Sequence, residues 1–328
     1  MSEEVGKQAL ELLLEQSGKR KRVEVDFFGG EPLLNTEVMF SLVEYGERRA
    51  QELDKIIQFT LTTNTLLLDR KTMDFINVHK MPVVLSLDGR PEVHNRMRPL
   101  AGGGDSYALV VSRIKELLAL RGHSQYYVRG TYTHYNLDFS QDVRQMVAEG
   151  FKEISLEPVI AAPEEEYALR PEDLPQIEAE YERLAEFWLE KQGTEQEFRF
   201  FHFNIGGETC LPKRLTGCNA GVEYFAVAPD GDLFPCHQFV GQENFKIGDV
   251  WQGIQKEDLR EKFLAAHVYA KPECRKCWAK FYCSGGCHAA AFARNGNLSQ
   301  PDTFACHLMR KRIECSLYLQ AVQESKKS

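Results

Sequence analysis

VEVDFFGGEP occupies residues 23–32. Its β-branched and aromatic run describes a strand, and the two glycines after it leave the backbone bare in a turn. Comparable β-rich runs recur at 56–63 (IIQFTLTT), 82–88 (PVVLSLD), 126–133 (YYVRGTYT) and 152–159 (KEISLEPV). Helical patterns lie between them: from about Thr36 to Leu53, from near Asp69, through YALVVSRIKELLAL, and from near Asp138. Strands alternating with amphipathic helices predict parallel βαβ units, hence an α/β sheet or barrel. Ligands of such folds collect at the C-terminal ends of the strands, where GGEP, TTN, SLDG and LEP fall. A bare Gly-Gly, taken alone, is more often only a turn before a helix.

Upstream of Val23, MSEEVGKQALELLLEQSG predicts an amphipathic helix with Ser2 as N-cap, acidic residues in the first turn and Gly18 at its end. It has none of the zones of a signal peptide, so a cytoplasmic location is expected. GKRKR at 18–22 reads as a solvated loop. Downstream, an acidic helix is predicted over 171–193, a hairpin over 223–236 around Asp230–Gly231, and a closing helix over about 303–323.

With 43% hydrophobic and 27% charged residues and no long apolar run, the 328-residue chain has a globular composition, and no membrane partner is expected. A net charge of −8 argues against nucleic acid as a partner, because phosphate binding needs clustered Lys and Arg.

The nine cysteines all lie at or beyond Cys210. An odd number in a reducing compartment, in a chain large enough to bury its own core, is a poor disulfide framework. Metal binding is the better reading. CRKCWAKFYCSGGC at 274–287 supplies four thiolates, enough for one zinc ion. Zinc would leave Cys218, Cys236 and Cys306 without a role, whereas two [4Fe–4S] clusters use up to eight thiolates.

The spacing Cys218-x12-Gly231-x4-Cys236, then Cys274-x2-Cys277-x5-Cys283-x3-Cys287, then a gap to Cys306, resembles the seven-cysteine SPASM domain of radical S-adenosylmethionine (SAM) peptide-modifying enzymes. A strand ending in GGEP is similar to the element that holds the SAM amino group in those enzymes. Over nearly the whole chain the words EVDFFGGEPLLN, LSLDGRPEVHNRMRP, KRLTGCNAGVEYFAVAPDGDLFPCHQFVG and CWAKFYCSGGCHA resemble the maturases of six-cysteines-in-forty-five-residues (SCIFF) peptides.

That resemblance implies a partial (β/α)6 radical SAM barrel over 1–165, a helical connection over 166–205 and a SPASM iron–sulfur domain over 206–328. It implies SAM contacts from Gly29, Gly30, Glu31, Pro32, Thr63, Asn64, Ser86, Asp88, Arg129 and Glu157. It assigns Cys274, Cys277, Cys283 and Cys306 to an outer auxiliary cluster, and Cys218, Cys236 and Cys287 to an inner one. Cys210 is a candidate fourth inner ligand, the alternative being an open site, and Cys315 reads as a buried structural thiol. Both clusters are expected to lie well away from the GGEP strand.

The activity implied is hydrogen abstraction from a cysteine-rich precursor peptide and closure of a thioether, with flavodoxin or ferredoxin as electron donor. Anaerobic sulfatase-maturing enzymes share the scaffold but oxidise Cys or Ser. An Asp is expected there just after the second SPASM cysteine, where this chain has His237. A non-catalytic iron–sulfur protein that binds peptide or passes electrons is the alternative of another class.

The radical SAM [4Fe–4S] cluster sits on Cys-x3-Cys-x2-Cys after the first barrel strand, and no cysteine precedes Cys210 here. The five strands read above are expected to lack that first strand, leaving VEVDFF as a bare apolar edge. The radical SAM cluster is expected only if that segment is supplied, and the chain alone is expected to be inactive.

Overall fold

The computed structural model describes residues 1–121, 125–205 and 211–326. Ser2 accepts a hydrogen bond from the Val5 amide and starts α1 (Glu3–Gln16), whose first turn carries Glu3 and Glu4. Then follow β1 (Arg22–Phe27), α2 (Thr36–Glu52), β2 (Ile56–Thr63), α3 (Arg70–Val78), β3 (Val83–Ser86), α4 (Pro91–Met97), α5 (Tyr107–Arg121), β4 (Tyr126–Tyr132), α6 (Ser140–Ala148), β5 (Glu153–Pro158), α7 (Leu174–Lys191) and β6 (Arg199–Phe200). Asp69 caps α3 through the Thr72 amide, as its position predicts. The helix expected from residue 171 opens with a 3-10 turn, Pro171–Asp173, before α7.

The sheet has the order β1-β2-β3-β4-β5-β6. The pairs β1/β2, β2/β3, β4/β5 and β5/β6 are parallel, with Phe27 opposite Leu61 and Thr131 opposite Glu157. The sixth strand corrects the reading of 166–205 as a purely helical connection. Two residues are too few to show a strand period, and Arg199–Phe200 becomes a strand by pairing with Glu153–Ile154. β1 is an edge strand, but it is not a bare apolar one: Glu24 and Asp26 are exposed along it. Charge on an edge discourages pairing with another chain.

The C-terminal part contains α8 (Leu211–Thr216), a small antiparallel sheet of β7 (Ala226–Val227), β8 (Asp232–Phe234), β9 (Gly248–Asp249) and β10 (Gly253–Ile254), then α9 (Glu257–Ala265), α10 (Pro272–Lys276), α11 (Lys280–Cys283), α12 (His288–Asn295) and α13 (Thr303–Ser325). The hairpin read at Asp230–Gly231 is β7/β8, and Gly231 has φ +99°.

The chain divides into two compact units: 1–85 with 116–126 and 218–265, and 86–115 with 127–217 and 266–328. Residues 218–265 therefore fold with the N-terminal strands. In the first unit Leu14, Val23 and Ala50 form a buried cluster joined by Leu13 and Ile57. Phe239 stacks on Phe245 at 4.1 Å and meets Phe263 edge-on. In the second unit α7 packs on α13, burying Ile177, Tyr181 and Leu184 with Leu308, Ile313 and Leu319. Tyr132, Phe139 and Tyr181 form an aromatic group at 4.4–4.9 Å. No helix among the described residues is long and apolar enough to cross a membrane.

Candidate functional site

In the first unit Gly29 and Gly30 are exposed, and open space lies where a Cβ on either would stand. The turn is fixed by the next residue. Glu31 caps the 3-10 turn Pro32–Asn35 by accepting from the Leu33 amide at 3.0 Å. The same carboxylate accepts from Thr63 Oγ1 at 2.7 Å and from the Asn64 amide at 2.8 Å. Glu31, Thr63 and Asn64, three of the expected SAM residues, are thus brought together, and the glutamate locks the ends of β1 and β2 to each other. Asn64 in turn accepts from the Leu66 amide at 3.0 Å, which shapes the loop after β2. Pro32 opens the 3-10 turn and is half-buried.

The same unit holds Cys218 and Cys236. Negative charge on both acts on the Tyr224 hydroxyl, whose pKa is pushed up to about 12 by burial first, then by Cys236, with Asp26 and Cys218 contributing. Tyr224 Oη lies 2.9 Å from His237 Nδ1, and the His237 ring packs on Phe28 with centroids 4.6 Å apart. Phe28 immediately precedes the GGEP glycines. This corrects one expectation: the Cys218/Cys236 pair is not remote from the GGEP strand but adjoins its end. Spacing along the chain cannot reveal that contact, because two hundred residues of sequence intervene between about position 30 and position 236.

In the second unit the strand-end acids have protein partners. Asp88 is buried, pairs with Arg98 at 2.7 Å and accepts from the Thr131 amide at 3.0 Å. Glu157 pairs with Arg312 of α13 at 3.2 Å and with His202 at 3.2 Å. Burial raises the Glu157 pKa, but Arg312 first, with Arg129 adding to it, outweighs the rise, and the net direction is down. His202 is held neutral, lowered to about 3 by burial and by Arg312. Sequence reading named Asp88 and Glu157 as cofactor contacts and missed Arg98 and Arg312, which occupy them. Ser86 ends β3 and is half-buried. Arg129 differs from the acids: it is exposed on β4 and forms no ion pair among the described residues, leaving a guanidinium able to receive a carboxylate.

The loop after Asp88 is rigid. Gly89 has φ +119°, and a Cβ there would lie 2.2 Å from the Asp142 Cβ, so only glycine fits. Arg90 beside it donates to Asp142 at 2.8 Å and to Asp138 at 2.6 Å.

The remaining cysteines of the CxxC region also lie in the second unit. Burial and then charge on Cys283 and Cys274 push Cys306 up to about 11; burial, then Cys274, raises Cys283. Cys274 is raised by burial, against the pull of Lys271, with Cys277 adding to the rise. Cys274, Cys277, Cys283 and Cys306 therefore share one neighbourhood, as the outer-cluster assignment requires. Among the described residues no group of three or more Cys, His, Asp or Glu stands ready around a single metal ion. The donor chemistry fits the cluster. The Gly285 and Gly286 backbone works against burial at the Cys283 thiol, and the Gly286 amide donates to the Cys283 carbonyl at 3.3 Å, so the turn closes around this candidate ligand. Cys287 is exposed in the same unit, Cys315 is buried on α13 and pushed up to about 11 by burial, and Cys210 lies outside the described residues.

Two family models match: a 4Fe-4S single cluster domain over residues 1–108 and the SPASM iron–sulfur cluster-binding domain over 218–278. The cysteine-type anaerobic sulfatase-maturating enzyme of Clostridium perfringens strain 13 is 27% identical over 305 residues, 84% of this chain and 78% of that protein. The radical SAM cyclopropyl synthase TigE of Paramaledivibacter caminithermalis is 23% identical over 93% of this chain and 64% of its own length. The solved structure of anSMEcpe with bound AdoMet and Kp18Cys peptide superposes with a TM-score of 0.80 at 22% identity, covering 99% of this chain and 91% of that one. Streptococcus suis SuiB bound to S-adenosylmethionine gives 0.62 at 15% identity over 92% and 70%. The chain is of the radical SAM/SPASM maturase type. Its α/β fold is that of anSMEcpe, and both family models that it matches are iron–sulfur cluster domains. The SPASM match ends at residue 278, so Cys283, Cys287 and Cys306 lie beyond it and rest on spacing and on the charge coupling above.

Proposed function

We propose that this radical SAM maturase joins a cysteine sulfur to a carbon of a ribosomally made, cysteine-rich precursor peptide, with a flavodoxin- or ferredoxin-like donor supplying electrons. SAM and its reduced cluster, when bound, supply the hydrogen-abstracting radical. The chain's own residues do the rest. Gly29 and Gly30 present bare backbone to the SAM ammonium, and Glu31 holds the ends of β1 and β2 in register. Joining sulfur to a carbon radical releases one proton and one electron. The observation that carries the reading is the contact of Phe28 with His237 at 4.6 Å, which sets the Cys218/Cys236 pair beside the GGEP turn. An auxiliary cluster on that pair can take the electron, and His237, bonded to Tyr224, can take the proton.

A second reading, oxidation of a Cys or Ser side chain to an aldehyde, is favoured by the similarity to the sulfatase-maturating enzyme over 84% of the chain. The two part cleanly by product. Protein supplied with a Cys-x3-Cys-x2-Cys segment ahead of Met1 is incubated anaerobically with SAM, dithionite and cysteine-rich or sulfatase-type peptides. A peptide lighter by two hydrogens, with one cysteine no longer alkylated, is the expected product. Aldehyde trapped by hydrazide as the sole product would overturn the thioether reading and leave the oxidation.

A further inference from the structure

Lys271, just before α10, is fully buried. Its Nζ donates to the Gly285 carbonyl at 2.9 Å. It forms no ion pair with any carboxylate among the described residues. An ammonium taken out of water is strongly unfavourable unless an opposite charge accompanies it. Burial lowers the Lys271 pKa, and the groups that pull the other way are Cys274 first, then Cys283, Cys306 and Cys287. Arg310 of α13 also acts on Cys306, donating to its carbonyl at 3.1 Å, while the nearby imidazole of His288 is lowered to about 4 by burial and then by Lys271 itself.

The loop that receives Lys271 is built for this contact. Ser284, Gly285 and Gly286 all have left-handed backbone, with φ +59°, +88° and +76°. Their turn sends the Gly285 carbonyl to Lys271 and the Gly286 amide to the Cys283 carbonyl at 3.3 Å, which seats the ammonium next to that cysteine. A Cβ on Gly285 would stand 3.3 Å from Val268 and 3.7 Å from the Lys271 Nζ, closing the pocket around the ammonium.

We propose that Lys271 is a positioning residue whose buried positive charge raises the reduction potential of the cluster held by Cys274, Cys277, Cys283 and Cys306. This rests on the assignment of those four cysteines as one ligand set. Four thiolates around an oxidised cube carry net negative charge, and one more electron deepens it, so a fixed cation stabilises the reduced state. At an effective dielectric of about 20, a unit charge within ~10 Å changes the one-electron equilibrium by about tenfold. That fold-change is about 59 mV.

The test uses the anaerobically reconstituted chain, with redox titration followed by electron paramagnetic resonance and iron assay. Cys274→Ala first identifies the signal of this cluster. If that variant keeps the parent's iron and spectrum, the ligand assignment itself fails, separately from the role of Lys271. Lys271→Met is expected to move the identified signal about tenfold toward the oxidised form, and Lys271→Arg to hold the parent's potential. A Lys271→Met protein with the parent's potential overturns the proposal. Should Lys271→Met retain no cluster, the arginine variant decides. A loaded cluster at the parent's potential supports a charge requirement, while loss in both variants shows a purely structural lysine and overturns the proposal.

Discussion

Arg312→Met should separate the structural from the cofactor-binding role of Glu157. Arg312 is 5% exposed; its Nη1 and Nη2 lie 3.2 Å from Glu157 Oε2, its Nε donates to Tyr181 Oη at 2.6 Å, and Nη2 donates to the Leu156 carbonyl at 3.3 Å. Methionine fills much of the arginine stem but leaves the carboxylate facing only neutral His202 and the more distant Arg129. Removing one partner of a fully buried pair costs about 3–5 kcal/mol; Glu157 is 30% exposed and water offsets part of that, so a deficit of about 1–3 kcal/mol is expected. The pH dependence has a definite sign. Arg312 is the main group holding the Glu157 pKa down against burial, so its contribution is present above the unfolded carboxylate value of about 4.3 and is lost as pH falls through the depressed folded value. The stability deficit of Arg312→Met should thus be greatest at neutral pH and shrink in acid, and adding Glu157→Gln should recover part of it. Urea unfolding followed by circular dichroism at several pH values measures this. A neutral-pH deficit under about 1 kcal/mol, or one that grows in acid, would refute the assignment of Arg312 as the compensating charge.

Glu31→Ala removes the acceptor for the Leu33 amide, the Thr63 hydroxyl and the Asn64 amide, and at about 1 kcal/mol per bond should destabilise by roughly 2–4 kcal/mol. It should also weaken SAM binding by loosening the two strand ends, which equilibrium dialysis reads; unchanged affinity would show that the GGEP turn holds its shape without the glutamate. Anaerobic reconstitution should load iron and acid-labile sulfide in equal amounts, close to eight of each if both auxiliary clusters assemble. Stoichiometric zinc without sulfide would contradict the iron–sulfur reading of the cysteines.

The strands most legible in the sequence are those long enough to show their composition. IIQFTLTT is β2 to the residue, and VEVDFF overlaps β1, because β-branched runs of six or more residues carry a local signal. Arg199–Phe200 carries none, and only its pairing with Glu153–Ile154 makes it a strand. Motif positions were legible in the same sense, since GGEP and TTN do end neighbouring strands. The bonds that turn positions into a site were not. Glu31 reaching Thr63, Glu157 reaching Arg312 and His237 meeting Phe28 are contacts between residues far apart in sequence. Lys271 was passed over for a different reason: lysine is among the residues least often buried, so its type gives no hint of its place among the thiols.

The buried ions of the second unit make the case of Lys271 sharper. Asp142 is met by Arg90 at 2.8 Å, Asp88 by Arg98 at 2.7 Å and Glu157 by Arg312 at 3.2 Å. In each pair at least one ion is withdrawn from water (Asp142, Asp88 and, in the third, Arg312) and has its opposite charge within hydrogen-bond reach, as the solvation energy of a lone ion demands. Lys271 breaks that pattern: it is as deeply buried as Asp142, yet its one hydrogen-bond acceptor is a carbonyl, whose dipole offsets only part of a full charge. The groups that favour its charge are Cys274, Cys283, Cys306 and Cys287; burial raises the pKa of the first three, so a metal that holds them as thiolates would supply the compensating charge. A buried lysine that meets no carboxylate among the described residues and a thiolate cluster expected beside it are one observation seen from two sides.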